Sequence, residues 1–248
     1  MEIKKHIPNF ITLLNLACGL LAVIAIFKGY YDEAFIFVCL GIFFDFWDGF
    51  LARKLNVSGE LGLQLDSLAD MVTSGVVPGL LMYSLIETIQ NTQTDYKVTE
   101  DTFYMGFVPY LGFLITIASA YRLAKFNIDK RQIDSFIGLP TPANALFIMS
   151  IPMIQYYGEY EWIFNLLNNP FVLLFLTLLS AYFLNANIPL FSLKLKSFAW
   201  KEAKLQYSFM GFAVVLFLLL DFIAIPIIVI TYILLSALIN SKTKPAIG

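Results

Sequence analysis

Gly41 to Gly75 reads GIFFDFWDGFLARKLNVSGELGLQLDSLADMVTSG, which sets four aspartates, Asp45, Asp48, Asp66 and Asp70, inside or at the edge of apolar helix. A carboxylate at bilayer depth costs roughly 2.5 to 3.5 kcal/mol on insertion scales, so four of them need a compensating partner. Asp45 and Asp48 are three residues apart and Asp66 and Asp70 four, so each pair projects from one helix face. Two such faces brought together form a four-carboxylate cup. The only basic residues close in sequence are Arg53 and Lys54, which leaves a deficit of two charges. A hard divalent cation, Mg2+ or Mn2+, suits an all-oxygen site, because bare carboxylates that close could not all stay ionised.

The surrounding chain agrees with a membrane setting. Of its 248 residues 59% are hydrophobic and 14% charged, and mean hydropathy is +0.75, far from the composition of a soluble domain. The 24 phenylalanines and 13 tyrosines suit helices that face lipid, with amphipathic rings at the interfaces. A net charge of -2 gives no reason to expect a nucleic-acid partner. Cys18 and Cys39 each lie in an apolar run and read as small buried hydrophobes rather than a disulfide or metal pair. His6, the only histidine, stands beside Lys4 and Lys5 and reads as interfacial.

Apolar windows long enough to cross about 30 Å of hydrocarbon lie near 10–27, 32–52, 66–89, 104–124, 137–157, 169–187, 207–221 and 223–240. The first lacks a small-residue cleavage pattern and is read as a retained helix, not a leader. These windows predict an all-α, polytopic bundle of about eight spans in one membrane-embedded domain over 1–248. Its catalytic core would cover about 7–190 and its C-terminal hairpin about 207–240. With both termini on one side, 14 of the 16 Lys and Arg residues fall together and only Lys28 and Lys97 lie opposite. The positive-inside rule then places both termini and the four aspartates on the cytoplasmic side. Pro189 to Lys204 mixes Leu, Phe and Trp with lysines and reads as an interfacial amphipathic stretch.

The fixed positions are Asp45-x2-Asp48-Gly49-x2-Ala52-Arg53-x8-Gly62-x3-Asp66-x3-Asp70. This pattern resembles the signature of the CDP-alcohol phosphotransferase family at all eight positions. Further stretches extend the likeness: IPNFITLLNLACGLLA (7–22), LDSLADMVTSGVVPGLLMY (65–83), AYRLAKFNI (120–128), FIGLPTPANA (136–145) and IPLFSLKLKSF (188–198). Together they are similar to the branch that uses CDP-diacylglycerol as donor and L-serine as acceptor. Lys125 stands where that branch is expected to carry arginine, which keeps the charge but loses the fork geometry.

The resemblance implies that Asp45, Asp48 and Asp66, with Asp70 sharing, hold two divalent ions that hold the CDP diphosphate. It also implies that Asp70 is the base on the acceptor hydroxyl, that CMP leaves by in-line displacement, and that the protein is a homodimer. A bacterial or archaeal-type inner membrane is the implied location. Read from the residues themselves, Gly49 and Ala52 share a helical stripe with Asp45 and Asp48, leaving room for a bulky ligand. Glycine at 49 and 62 lets backbone approach a nucleotide, and Arg53 could hold a phosphate oxygen bidentately. Asn9, Thr12 and Asn15 share one side of the first helix and either touch the CMP moiety or make helix–helix hydrogen bonds. Arg122, Lys125 and Asn127 are candidates for the acceptor or phosphate pocket, with membrane-surface anchoring as the alternative. Gly138, Pro140, Thr141 and Pro142 shape the start of the fifth span.

Two other readings stay open on the sequence. Intramembrane carboxylates also mark ion pathways, although these cluster at one face rather than at several depths. Within the enzyme reading, glycerol 3-phosphate or an inositol phosphate could replace serine, but those dianions would favour more arginines around the pocket.

Overall fold

The computed structural model describes residues 3–93, 106–128, 136–191 and 203–243. Lys97, Lys130, Arg131 and most of the predicted interfacial stretch, 192–202, lie outside these residues. The chain runs through α1 (Ile3–Phe27), α2 (Tyr31–Lys54) and α3 (Glu60–Asp70). A π-helical turn, Met71–Val76, carries α3 straight on into α4 (Val77–Gln93). A 3-10 segment, Val108–Phe113, leads into α5 (Leu114–Ile128), followed by α6 (Thr141–Tyr157), α7 (Glu161–Leu167) and α8 (Pro170–Asn185). The last helices are α9 (Lys204–Leu220) and α10 (Ala224–Thr243).

Among the described residues the fold is all-helical apart from one short antiparallel pairing, β1 (Phe136–Ile137) with β2 (Pro189–Leu190). Gly138 makes this pairing possible. It sits at φ +80°, and a Cβ there would run into the carbonyl oxygen of Leu184. With the side chain absent, Gly138 N donates to Ile188 O and Leu139 N to Phe183 O, which ties the start of α6 to the end of α8. Pro140, Thr141 and Pro142 form the first turn of α6, where a missing N–H costs nothing.

Among the described residues, four helical stretches are long and apolar enough to cross a membrane, and a fifth is reached if α7 and α8, bent by 74°, count as one span. The predicted eight are not reached on that measure. α6 has only 17 residues and α5 only 15, or about 26 and 23 Å at the α-helical rise, less than the hydrocarbon thickness. The final 36-residue stretch, Lys204–Ile239, counts once by length and composition. It nevertheless turns back at Asp221, whose φ is +46°. Phe209 and Tyr232 meet with ring centroids 5.7 Å apart, whereas 23 residues of straight helix would separate them by about 34 Å.

The core that positions the aspartates is built by small residues. α1 and α2 pack along much of their length, with the π-helical turn against both. A Cβ on Gly19 of α1 would fall 2.6 Å from Thr73 Oγ1, and one on Gly41 of α2 would fall 2.6 Å from Thr73 Cγ2. Without a hydrophobic force between helices in lipid, such close backbone approach is what holds them together. Asn15, Asp45 and Asp70 each lie about one turn from this junction, so the junction fixes how they meet.

Candidate active site

α2 and α3 deliver the carboxylates as the spacing predicts. One oxygen each from Asp45, Asp48 and Asp66 can be chosen so that all three lie within 4.8 Å of one another. Asp48 is 4% exposed, while Asp45 and Asp66 are half-buried. Asp45 and Asp66 are in side-chain hydrogen-bond contact. Two carboxylates at that separation need a proton or a cation between them, and three converging on one point match the donor set of a hard divalent cation. The residues present therefore fit a metal ion.

Asp70 is not one of this trio. It lies within electrostatic range of Asp45 and Asp66, but its Oδ1 accepts from Asn15 Nδ2 at 3.2 Å. Arg122 approaches it from α5, also within electrostatic range. Three of the four predicted carboxylates thus meet within 4.8 Å, and the fourth, in electrostatic range of Asp45 and Asp66, is also tied to α1.

Thr12 touches both the Pro8 carbonyl oxygen, at 3.1 Å, and Asp48 Oδ2. Its single hydroxyl proton can serve only one of them at a time. Asn9, Thr12, Asp48, Gly49, Ala52, Arg53, Gly62 and Asp66 all line one cavity of about 260 Å³. Gly62 packs closely on Asn9, because a Cβ there would lie 3.3 Å from Asn9 Oδ1. The guanidinium of Arg53 folds back over Gly49, where a Cβ would meet Nη1 at 3.4 Å.

The remaining sequence candidates divide. Arg122 is 7% exposed, lies 6.0 Å from the centroid of the Phe126 ring, and has no hydrogen-bond partner for Nε among the described residues. Asn127 is committed to Ser67, donating from Nδ2 at 2.9 Å, and so ties α5 to α3. Lys125 is half-buried. Reading from sequence missed Pro8, Val57, Ser58, Gly59, Leu63 and Phe126, which complete the cavity wall. Ser58 and Gly59 carry a signal, since they form the polar loop just before α3. Phe126 carries none, because only the tertiary packing of α5 brings it there.

The family model described as CDP-alcohol phosphatidyltransferase matches residues 5–174. The CDP-diacylglycerol–serine O-phosphatidyltransferase of Bacillus subtilis (strain 168) is 37% identical over 142 residues, covering 56% of this chain and 70% of its own length. A protein of the same name from Methanocaldococcus jannaschii is 32% identical over 143 residues, 58% of each chain. The archaetidylserine synthase of Methanothermobacter thermautotrophicus is 30% identical over 156 residues, 62% of this chain and 60% of its own. The matched part thus spans little more than half the length of the two archaeal relatives.

Proposed function

Because the chain belongs to the CDP-alcohol phosphatidyltransferase family, we propose that it transfers the phosphatidyl group of CDP-diacylglycerol to the hydroxyl of L-serine and releases CMP. The observation that carries this reading is the convergence of Asp45, Asp48 and Asp66, the last two of which line a cavity together with Gly49, Ala52, Arg53 and Gly62. The names of the relatives support serine as the acceptor.

In this reading Asp45, Asp48 and Asp66 hold Mg2+ or Mn2+, with Asp70 sharing in a second ion. When bound, such cations neutralise the diphosphate and polarise the phosphorus under attack. The CDP moiety occupies the cavity, where Gly49 and Gly62 admit it and Arg53 grips a phosphate oxygen. Thr12 orients Asp48. Asp70, aligned by Asn15, takes the proton from the serine hydroxyl as its oxygen bonds to phosphorus. The phosphorus–oxygen bond to CMP breaks and carries its electron pair away with CMP. Arg122 meets the carboxylate of serine.

The site opens to the cytoplasm and both termini lie on that side, as the distribution of Lys and Arg favours. Eight crossings remain our topology. The turn at Asp221 supports two of them, and the 3-10 segment before α5 lengthens another. The test is release of CMP by purified protein with Mg2+, CDP-diacylglycerol and labelled serine, run in parallel with glycerol 3-phosphate. Labelled lipid formed from serine supports the assignment. Incorporation of glycerol 3-phosphate alone overturns it, and ion flux without turnover overturns the enzyme reading.

A further inference from the structure

The last turn of α5 meets the site at two places. Among the described residues, Phe126 is the one aromatic side chain that lines the cavity of about 260 Å³ beside Asp48 and Asp66. Arg122, four residues earlier and so on the same helix face, does not line that cavity, yet its guanidinium carbon lies over the Phe126 ring, 6.0 Å from the centroid. A cation over an aromatic face at this range is attracted by the ring quadrupole, more strongly where water is excluded, and Arg122 is buried. One half-buried ring therefore belongs both to the proposed donor cavity and to the setting of a buried cation.

This turn is pinned in place. Asn127 Nδ2 donates to Ser67 Oγ at 2.9 Å, and the Ser67 hydroxyl faces Asn127 Oδ1 at 3.2 Å. Ser67 directly follows Asp66, which lines the cavity and belongs to the trio that fits a metal ion. The amide and hydroxyl thus hold the end of α5 against α3 next to the carboxylates, and the backbone of Phe126 is held with them. The Nε of Arg122 is buried and has no hydrogen-bond partner among the described residues. A buried donor left unmade costs free energy, so it calls for an acceptor that arrives with a ligand.

We infer that Phe126 couples the two substrates: a nucleotide packed into the cavity restricts the ring, and the restricted ring holds Arg122 ready for the carboxylate of the acceptor. This rests on the roles given to the cavity and to Arg122 under Proposed function. A binding group that is already ordered loses less freedom when its ligand arrives, so a cytidine diphosphate in the cavity tightens binding of the amino acid. By linkage the amino acid tightens binding of the nucleotide by the same factor.

Equilibrium dialysis of the full-length protein with Mg2+ and labelled serine, with and without saturating CDP, measures the coupling. CDP has no lipid to transfer, so nothing turns over. One cation–π contact is worth roughly three- to tenfold in affinity, and serine should bind that much tighter when CDP is present. Phe126→Leu removes the ring face and should bring the ratio of the two serine affinities to one, whereas Phe126→Tyr keeps the face and should keep the ratio. Asn127→Ala leaves the ring and releases its anchor, so the ratio should fall, and adding Ser67→Ala should lower it no further because the two residues share one bond. Ile128→Ala, on the exposed side of the same turn, is the control and should match wild type. A ratio of one in wild type, or a wild-type ratio in Phe126→Leu, overturns the inference. If labelled glycerol 3-phosphate binds and serine does not, the acceptor assignment fails by itself and the same ratio is read on glycerol 3-phosphate. Absence of CDP binding overturns both.

Discussion

Asn15 reaches from α1 to Asp70 and donates its amide to Oδ1 across 3.2 Å. That bond ties one oxygen of the carboxylate to α1. It also explains why α1, which contributes no acidic residue, belongs to the site. Asn15 keeps its place because Gly41 offers no side chain: a Cβ there would lie 2.8 Å from Asn15 Oδ1. The Thr73 hydroxyl donates to Asn15 O at 3.1 Å and fixes the backbone of the same residue.

If Asp70 is the base, Asp70→Asn should cut CMP release by roughly 10²- to 10⁴-fold, the usual worth of a positioned proton acceptor. The amide is isosteric, so binding of CDP-diacylglycerol should persist. Equilibrium binding of labelled donor beside single-turnover rates separates the two effects. Wild-type rates in the variant would remove Asp70 from the role.

Asn15→Ala tests orientation rather than chemistry. Asp70 would keep its charge and lose its alignment, so kcat should fall about tenfold for one lost hydrogen bond of ordinary strength to a charged group. The metal requirement should not change. A shift in the Mg2+ titration midpoint would mean that Asn15 acts on the ion cluster instead.

Asp45→Asn and Asp66→Asn should behave differently from Asp70→Asn, because these residues sit in the cluster of three. Each removes a charge from the ion-binding set and should raise the Mg2+ or Mn2+ needed for half-maximal activity by tenfold or more, a loss of at least about 1.4 kcal/mol in binding. Donor affinity should fall with it. EDTA should abolish turnover in wild type, and added Mg2+ should restore it. Activity indifferent to chelation would remove the metal from the reading altogether.

The helix spacing made the meeting of Asp45, Asp48 and Asp66 legible in the sequence, and with it the cavity face that bears Gly49, Ala52, Arg53 and Gly62. The tie of Asp70 to α1 was not legible. It depends on a hydrogen bond spanning 55 residues, and on a π-helical turn that begins at the very next residue, Met71. Thr73, Ser74 and Gly75 are weak helix formers, but nothing in their identities distinguishes a π-turn from a strained α-helix. Asn127 looked free to meet a ligand and instead bonds Ser67, because pairing across 60 residues leaves no local trace. Four or five of the eight predicted spans are reached by length and composition among the described residues, and α5 and α6 came out short. A window average does not register the 3-10 start at Val108 or the helix start set by Pro140 and Pro142.

The Gly19, Gly41 and Thr73 junction predicts a stability effect with a catalytic consequence. Gly41→Leu must displace both Thr73 and Asn15, and overpacking of this kind costs about 1–3 kcal/mol. A lower thermal midpoint in detergent should accompany the loss of activity. Thr73→Ala vacates space beside Gly41 at the cost of the bond to Asn15 O. Combined with Gly41→Ala it should recover part of the midpoint. Strictly additive losses in the double variant would show that the two residues do not share one contact.

Gly49 separates room for a ligand from room for the fold. A Cβ at this position would meet only the far end of a flexible side chain, Arg53 Nη1, at 3.4 Å. Gly49→Ala should therefore fold normally and raise the KM for CDP-diacylglycerol only modestly, since Arg53 can shift by a few tenths of an ångström. Gly49→Leu extends its side chain into the cavity of about 260 Å³ and competes with the nucleotide for volume. It should keep the wild-type thermal midpoint, because nothing in the helix core is disturbed, while binding of CDP-diacylglycerol is lost. Thermal unfolding and donor binding measured on the same preparations distinguish the cases. A Gly49→Leu protein that binds donor as wild type does would place the nucleotide elsewhere and leave the cavity beside Asp48 and Asp66 without its proposed occupant.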